Sequence, residues 1–559
     1  MDMSAPSSAQ PQTLDNGQPQ SYWSLSEHAA LMYWHIALQV LAWVVVLPVA
    51  VMLSIARSRY SLSSQFLFLA TNAVALAFGV VYKHKTPELY ANNSHGKTGW
   101  IVTWLANAWV ILAMIQFYTK RQQSNTEHDE IAEPNPVANM VWYQRVQDEL
   151  PEPCRFSQDS GQGTERNSES LFGHSRSPSE ESEHERFHGP MRQYTQDHGD
   201  CFDDASEKRG FLRNATLDSF FSRHVARYVA GRTLKVIHFS YVVLERTLIV
   251  QGVVAVATGT VVYGGIGRGD AVFNVLAHYI KGGIFFLYGF LTLGRWMGAF
   301  ADFGWAWNVK PPQGIVGRRK AALPSAEFAE SFVIWLYGAT NVFLEHLAAW
   351  GDAWTAQDLE HVSISVMFFG GGLLGMIVES TKMRDLLNNA VLSSHAQSNT
   401  DDESWQQPRQ YRFSMNPLPA LIIMLLGKMM SSHHQASMLS TMIHSQWGSM
   451  FMGFALARGL TYMTLYVAPP TSFLPSRPPT EIITSFCLIA GGITFMLSNK
   501  DTVAVLEGYK LDAMFTFTVT MGLSAILMAW TTVVIAIKGW AARTESRHQY
   551  TKSAAGIVA

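Results

Sequence analysis

Cysteine and charge are both scarce in this chain of 559 residues. Three cysteines, Cys154, Cys201 and Cys487, are too few for a disulfide scaffold or a lattice of zinc fingers. Charged residues make up only 15% of the chain, against roughly a quarter in soluble domains, and apolar residues make up 48%. The formal net charge of −2 provides no basic field for nucleic acid. These shortages exclude a secreted mini-protein, a soluble single-domain enzyme and a disordered chain, and they leave a multi-pass membrane protein.

Long apolar runs recur along the chain, and a helix needs about 20 such residues to cross the hydrocarbon core of a bilayer. We therefore predict an all-α fold, a polytopic membrane helical bundle of about eleven spans with a disordered polar insert. The predicted spans are residues 30–55, 66–83, 97–118, 234–262, 271–297, 327–348, 361–380, 417–434, 446–467, 480–498 and 512–538. The stretch 417–467 is also consistent with one long helix and one short helix.

Changes in composition divide the chain into six predicted regions. They are a disordered extracytoplasmic head (1–29), a three-span region (30–120), a disordered cytoplasmic insert (121–226), a two-span region that completes the N-terminal bundle (227–310), a C-terminal six-span region (311–540) and a cytoplasmic tail (541–559). The head contains no Lys or Arg, so it lacks the basic start of a signal peptide. The insert is rich in Ser, Glu and His, cannot form a core, and is a candidate region for binding protein partners.

The basic residues of the loops predict the orientation of the spans, because cytoplasmic loops carry an excess of Lys and Arg. Bases follow the first, third, fifth and seventh spans, precede the fourth, and recur in the tail, whereas the loop at 349–360 carries acids and no base. We therefore expect an extracytoplasmic N-terminus and a cytoplasmic C-terminus, in the secretory pathway or the plasma membrane. The lipid bilayer is the expected partner, and nucleic acid is not.

Nineteen histidines occur in the chain, and most of those near spans gather on the predicted outer side. An ionisable group inside a membrane is costly and normally faces the bundle interior or water. Neutral imidazole is also a common ligand of transition metals and of haem iron. The histidines of this outer set are His28, His35, His84, His95, His278, His346, His361, His433, His434 and His444.

Several of these histidines lie beside glutamates or methionines, which favours a metal site. The tripeptide Leu-Glu-His occurs twice, at 344–346 and 359–361, on either side of one short predicted loop. The candidate ligands for zinc, copper or iron are His278, Glu345, His346, Glu360, His361, His433, His434 and His444. The charges near spans lie at the rims, which favours a rim site over a conduction path. In the alternative interpretation, the histidines only tie helix ends together by hydrogen bonds.

Two N-terminal segments carry a family resemblance. The first span reads His35-Ile-Ala-Leu-Gln-Val-Leu-Ala-Trp43 and continues to Leu47-Pro48, and the third begins Ser94-His95-Gly-Lys-Thr-Gly99. These segments resemble the transmembrane b cytochromes associated with DOMON domains, in the cytochrome b/ferric reductase superfamily. In that family the first and third helices share one haem, and the second and fourth share another. The resemblance implies that His35 and His95 hold haem b, and that His238 stands at the ligand position of the fourth helix.

The resemblance to the b cytochromes is incomplete in the second span. Phe66-Leu-Phe-Leu-Ala-Thr-Asn72 contains no histidine, so the partner expected for His238 is missing. The chain as a whole resembles more closely the fungal Ytp family of multi-pass membrane proteins. The segments that carry this resemblance include Tyr33-Trp-His-Ile-Ala-Leu38, Asn341-Val-Phe-Leu-Glu-His346 and His433-His-Gln435. That family implies a membrane protein without assigning it a reaction.

Three functions remain open from the sequence. The leading hypothesis is a haem-binding transmembrane protein for electron transfer or metal reduction, which would be an oxidoreductase. The second is a transporter or sensor for zinc, copper or iron that uses the outer His/Glu set. The third is a non-catalytic membrane scaffold. A hydrolase is excluded, since neither Gly-x-Ser-x-Gly nor His-Glu-x-x-His occurs.

Overall fold

The computed structural model describes residues 21–131, 231–341, 353–392, 408–411, 413–432 and 435–558. Within these ranges the regular structure is helical, and no strand occurs among them. The first helices are α1 (Ala29–Val40), α2 (Leu47–Ile55), α3 (Ser61–Lys85), α4 (His95–Ile131), α5 (Gly231–Gly264) and α6 (Ala271–Met297). A π-helical segment, Leu41–Val46, joins α1 to α2 without a break.

The remaining helices follow α6 in chain order. They are α7 (Gln313–Val316), α8 (Arg318–Ala321), α9 (Ala326–Asn341), α10 (Ala356–Glu379), α11 (Thr381–Leu392), α12 (Leu418–Ser432), α13 (Met438–Val467), α14 (Thr480–Leu497), α15 (Lys500–Gly508) and α16 (Ala513–Val558). Short 3-10 turns occur at Ala301–Phe303 and Arg409–Tyr411. Every predicted span therefore falls on a helix, and the all-α polytopic class is confirmed.

The described residues contain eight helices that are long and apolar enough to cross a membrane, with α1 and α2 counted as one. The other three predicted spans fall on α9, α12 and α13, which do not meet that criterion of length and apolar composition. The predicted number of eleven spans is therefore not confirmed. The stretch 417–467 forms one helix of 15 residues and one of 30, the arrangement of one short and one long helix.

The chain divides into two compact units, residues 1–113 with 238–559 and residues 114–237. All the contacts described below lie in the first unit. Its N-terminal part contains α1, α2 and α3, together with α4 up to residue 113 and α5 from residue 238 onward. Its C-terminal part contains α6, α9, α10 and the helices from α12 to α16. The two parts are joined through α16, which packs against α2.

The join between α2 and α16 follows from a proline. Pro48 has no amide hydrogen, so it cannot donate to the carbonyl of Val44 four residues earlier. The indole Nε1 of Trp530 on α16 donates to this oxygen instead, at 2.8 Å. At the end of the same pair of helices, Glu545 accepts a hydrogen bond from the Arg59 amide at 3.0 Å. The Val44 carbonyl that Pro48 leaves without its helical donor thus accepts a hydrogen bond from the last helix.

The C-terminal helices form a chain of neighbours in which α6 packs on α14, α14 on α13, α13 on α12, α12 on α10 and α10 on α9. Glycines allow the closest approach, because a Cβ on Gly282 of α6 would lie 2.6 Å from the Gly492 oxygen of α14. The core between these helices is aromatic. Trp447 stacks on Phe495 with ring centroids 4.3 Å apart and an angle of 8° between the planes.

Candidate functional site

His35 lies on α1 and turns its imidazole toward α3. Its Nδ1 is 2.8 Å from the carbonyl oxygen of Ala75. A carbonyl can only accept, so Nδ1 carries a hydrogen, and in the neutral ring the lone pair is then on Nε2. Gly79, one turn further along α3, provides the space for the ring, because a Cβ there would lie 2.6 Å from Nδ1. The surroundings of His35 therefore select the tautomer that ligates through Nε2.

His95 begins α4 and turns its imidazole toward α5. Its Nδ1 is 3.2 Å from the hydroxyl oxygen of Thr258, whose own hydrogen is donated to the Ala255 carbonyl at 3.0 Å. With that hydrogen used, the hydroxyl acts as acceptor and the imidazole Nδ1 as donor. Gly259 beside it leaves room for the ring, since a Cβ there would lie 3.0 Å from the His95 Cε1. His95 thus has the same tautomer as His35.

The two imidazoles lie near each other at one end of the N-terminal helices, close enough to interact electrostatically. Both are half-buried. We call this end of the molecule, marked by His35 and His95, the histidine end. Two imidazoles on different helices, each with Nδ1 engaged, have the donor chemistry of a bis-histidine haem site. Haem at this pair stays a prediction.

His238 lies far from this pair. It is exposed near the start of α5, and Thr258 follows it by about 30 Å along the helix axis. Between His238 and the histidine end, the interior of the N-terminal helices is filled by aromatic and polar side chains. Trp43 donates to the Asn72 side chain at 2.9 Å and packs edge-on against Phe68. The structure thus brings His35 and His95 together and leaves His238 apart from them.

Residues 21–28 fold over the histidine end, although they lie in the head expected to be disordered. The amide of Trp23 donates to the Tyr263 carbonyl at 3.1 Å, and the Tyr22 hydroxyl accepts from the Leu89 amide at 3.2 Å. Nearby, the Tyr90 hydroxyl lies 2.7 Å from the Ile266 carbonyl. Burial raises the pKa of Tyr90 above its ordinary value, so the hydroxyl keeps the hydrogen that it donates.

Three of the proposed metal ligands also approach each other at the histidine end. The rings of His278 on α6 and His444 on α13 meet edge to face, with centroids 6.1 Å apart. His361 on α10 interacts electrostatically with His278. The Nδ1 atoms of His278 and His444 lie 2.8 Å from backbone carbonyls of their own helices, at Asn274 and Ser440. Each of these two hydrogen bonds stays within one helix, and the interpretation that the imidazoles tie helix ends together stays a prediction.

The rest of the predicted metal set is only partly visible. Glu345, His346, His433 and His434 lie outside the described residues, and Glu360 is exposed at the start of α10. Among the residues that the structure describes, no group of three or more His, Cys, Asp or Glu side chains is arranged to hold a metal ion. The metal site on these residues stays a prediction.

A buried network of charges lies at the end opposite the histidine end. The sequence indicated Arg295 and Arg458 as charges of structural ion pairs, but it did not identify their glutamate partners. Arg295 pairs with Glu327 at 2.9 Å and with Glu330 at 2.5 Å, and Arg458 pairs with Glu481 at 2.8 Å. All five side chains are almost fully buried. Two of the acids, Glu327 and Glu481, stand in the first turns of α9 and α14, where negative charge is common.

Trp307 completes this network. Its ring lies 4.3 Å from the guanidinium carbon of Arg295 and 5.7 Å from that of Arg458, and it is fully buried. The loop that carries it is held by Asn308, whose amide donates to the Phe473 carbonyl at 2.8 Å. An aromatic face over two paired guanidiniums supplies the stabilisation that a buried cation needs.

The fold and these sites define a polytopic, all-α integral membrane protein in which several of the described histidines gather at one end. Comparison with known families then places it. Residues 251–539 match the family described as "Protein YTP1-like, C-terminal", and residues 16–119 match a domain of unknown function, DUF2427. The chain belongs to the YTP1-like family, which confirms the resemblance to the Ytp proteins.

Three relatives come from yeasts, and two of them are named as membrane proteins. An uncharacterised membrane protein of Schizosaccharomyces pombe is 32% identical over 509 residues, which cover 91% of this chain and 93% of the relative. The uncharacterised membrane protein YCR061W of Saccharomyces cerevisiae is 40% identical over 289 residues, covering 50% of this chain and 44% of the relative. Protein YTP1 of the same yeast is 22% identical over 281 residues, half of each chain. No solved structure matches.

Proposed function

We propose that this protein binds one haem b between His35 and His95 and transfers electrons at the histidine end. The single observation that carries the proposal is the shared state of the two imidazoles. Each comes from a different helix, each has Nδ1 engaged by an oxygen of a neighbouring helix, and they lie within electrostatic range. Such outer hydrogen bonds are what orient histidine ligands in metal and haem sites.

The chain's own residues have separate tasks in this proposal. Ala75 and Thr258 hold the tautomers, and Gly79 and Gly259 give the rings room beside the helix backbones. Haem iron held by His35 and His95 would supply one-electron redox chemistry. Ferric or cupric ions are the class of electron acceptor that we propose for this half-buried pair.

The second span contains no histidine to pair with His238, because Phe66–Asn72 has none. Between His238 and the histidine end, Trp43 and Asn72 are bonded to each other, and both are buried. Gly252 of α5 is in contact with Trp43, since a Cβ there would lie 2.7 Å from the indole ring. This packing supports one haem per chain, at the histidine end.

The test is a small panel of variants of the full chain, expressed in haem-sufficient cells and purified in detergent. We expect His35→Ala and His95→Ala each to lose bound haem, measured as haem per protein after extraction. His84→Ala is the matched control, because His84 is exposed in the last turn of α3 at the same end. The proposal is wrong if wild type carries no haem, or if the two variants retain as much haem as His84→Ala.

A further inference from the structure

The buried network at the end opposite the histidine end contains more acids than bases. Its members, which we call the Arg/Glu network, are Arg295, Arg458, Glu327, Glu330 and Glu481, and none of these side chains is more than 5% exposed. When all are ionised, three carboxylates face two guanidiniums, and the network has a net charge of −1. A charge that is buried without a partner is costly, so the fully ionised network lacks one positive charge.

The neighbours of the Arg/Glu network do not supply this charge. Among the described residues, the ion pairs of its three glutamates are those with its own two arginines. The other ionisable groups that interact with the network are the hydroxyls of Tyr288 and Tyr462, which are neutral at neutral pH, and the carboxyl of Glu379. Glu379 has a cation of its own, Arg384, at 3.8 Å. A buried acid without a cation becomes neutral by holding a proton.

The hydroxyl next to Glu481 gives a second, independent reason for a proton. Thr461 lies beside the Glu481 carboxyl, and its hydroxyl donates to the Ala457 carbonyl at 3.2 Å. The Thr461 oxygen also lies 2.6 Å from the hydroxyl oxygen of Thr480. A hydroxyl has one hydrogen, and Thr461 has given it to Ala457. The contact between Thr461 and Glu481 is therefore favourable when the hydrogen comes from the carboxyl.

We propose that the Arg/Glu network is a proton-binding site, which holds one proton at neutral pH and shares it among Glu327, Glu330 and Glu481. With this proton the network is neutral, and each arginine keeps its carboxyl partners. Because acids that interact this closely titrate together, the proton belongs to the group and not to one residue. The site uses none of the residues of the haem proposal, so a failure of either proposal leaves the other unaffected.

The proton is detected by infrared spectroscopy of the full chain at neutral pH in a detergent without ester groups. The carbonyl stretch of a protonated carboxyl is separate from the bands of ionised carboxylates, and we expect it in the wild type. Glu327→Gln, Glu330→Gln and Glu481→Gln should each lose this signal, because two acids that face two arginines need no proton. Glu245→Gln is the matched control, on a buried acid outside the network, and should retain it. Absence of the signal from the wild type, or its persistence in one of the three variants, overturns the proposal.

The dependence of stability on pH is a second measurement of the same proton. At neutral pH the native network holds a proton that its acids lose on unfolding, so stability falls as the pH rises. Unfolding is titrated with sodium dodecyl sulfate in mixed micelles from mildly acidic to mildly alkaline pH. Per pH unit, the equilibrium constant of unfolding should rise about tenfold more in the wild type than in Glu481→Gln, since one proton is released. Glu507→Gln, on an exposed acid of α15, should keep the wild-type slope. Equal slopes for the wild type and Glu481→Gln overturn the proposal.

Discussion

At the scale of single residues, the chemistry of the candidate haem site depends on which imidazole nitrogen carries the hydrogen. The Thr258 hydroxyl donates to Ala255 and therefore accepts from His95, so one hydroxyl sets the tautomer of one ligand. Removing a residue that holds a ligating histidine in this way typically lowers the affinity for the metal by about 10–100-fold. Thr258 is in this sense a positioning residue.

Replacing Thr258 with valine tests this role. The change keeps the shape of the side chain and removes the acceptor for the His95 Nδ1 hydrogen, so we expect haem affinity to fall about tenfold or more. Titration of haem into the haem-free protein measures the effect. Thr260→Val is the control, because the exposed Thr260 on the same helix bonds only its own backbone, at Val256. Equal affinities for the two variants would show that Thr258 does not position the ligand.

The residue scale also shows what the sequence could predict about the site. His35 and His95 were recognisable because they stand at fixed distances from Trp43 and Gly99 in a pattern shared with b cytochromes. Their partners were not recognisable, since a backbone carbonyl and one threonine among many carry no pattern.

At the scale of helices, the predicted spans matched because apolar length is a strong signal in a membrane protein. The interruption of the first span was not predictable from length. Pro48 frees the Val44 carbonyl, and only the tertiary structure shows that Trp530 supplies the missing donor. In a bilayer an unsatisfied backbone group costs more than in water, so this one bond stabilises the pairing of the first and last spans.

Trp530→Phe tests the contribution of this bond. The substitution keeps an aromatic ring and removes the donor, which leaves the Val44 carbonyl unsatisfied. We expect the free energy of unfolding to fall by about 1–3 kcal/mol. The free energy of unfolding is measured by titrating sodium dodecyl sulfate into mixed micelles. Far-ultraviolet circular dichroism follows the loss of helix, so the signal does not depend on the fluorescence of the tryptophan that is replaced. Trp104→Phe serves for comparison, since Trp104 is 67% exposed; a loss no larger than in that variant would argue against the bond.

At the scale of the whole molecule, the two ends differ in chemistry. The histidine end gathers neutral imidazoles from both the N-terminal and the C-terminal helices, and the opposite end contains the buried arginines and glutamates. The network at the opposite end joins four helices, α6, α9, α13 and α14, through side chains that are almost fully buried. The pairing of these arginines and glutamates could not be predicted from the sequence, because the paired residues lie far apart along the chain.

Breaking the network should therefore affect the C-terminal helices as a group. Arg458→Leu leaves Glu481 and part of Glu330 without a cation, and removal of one partner from a buried ion pair costs about 3–5 kcal/mol. We expect a large fall in thermal stability in detergent, or failure to accumulate as a monodisperse protein. Arg318→Leu, on an exposed arginine of α8, should behave like wild type. Equal melting temperatures for the two variants would contradict a structural role for the network.

The central claim is that one haem lies between His35 and His95, and the most direct measurement is of the wild-type protein itself. Haem per chain and the electron paramagnetic resonance spectrum of the oxidised protein are recorded on one purified sample. The account predicts one haem per chain with the low-spin ferric signal of two imidazole ligands. No haem, two haems per chain, or a high-spin signal would contradict it.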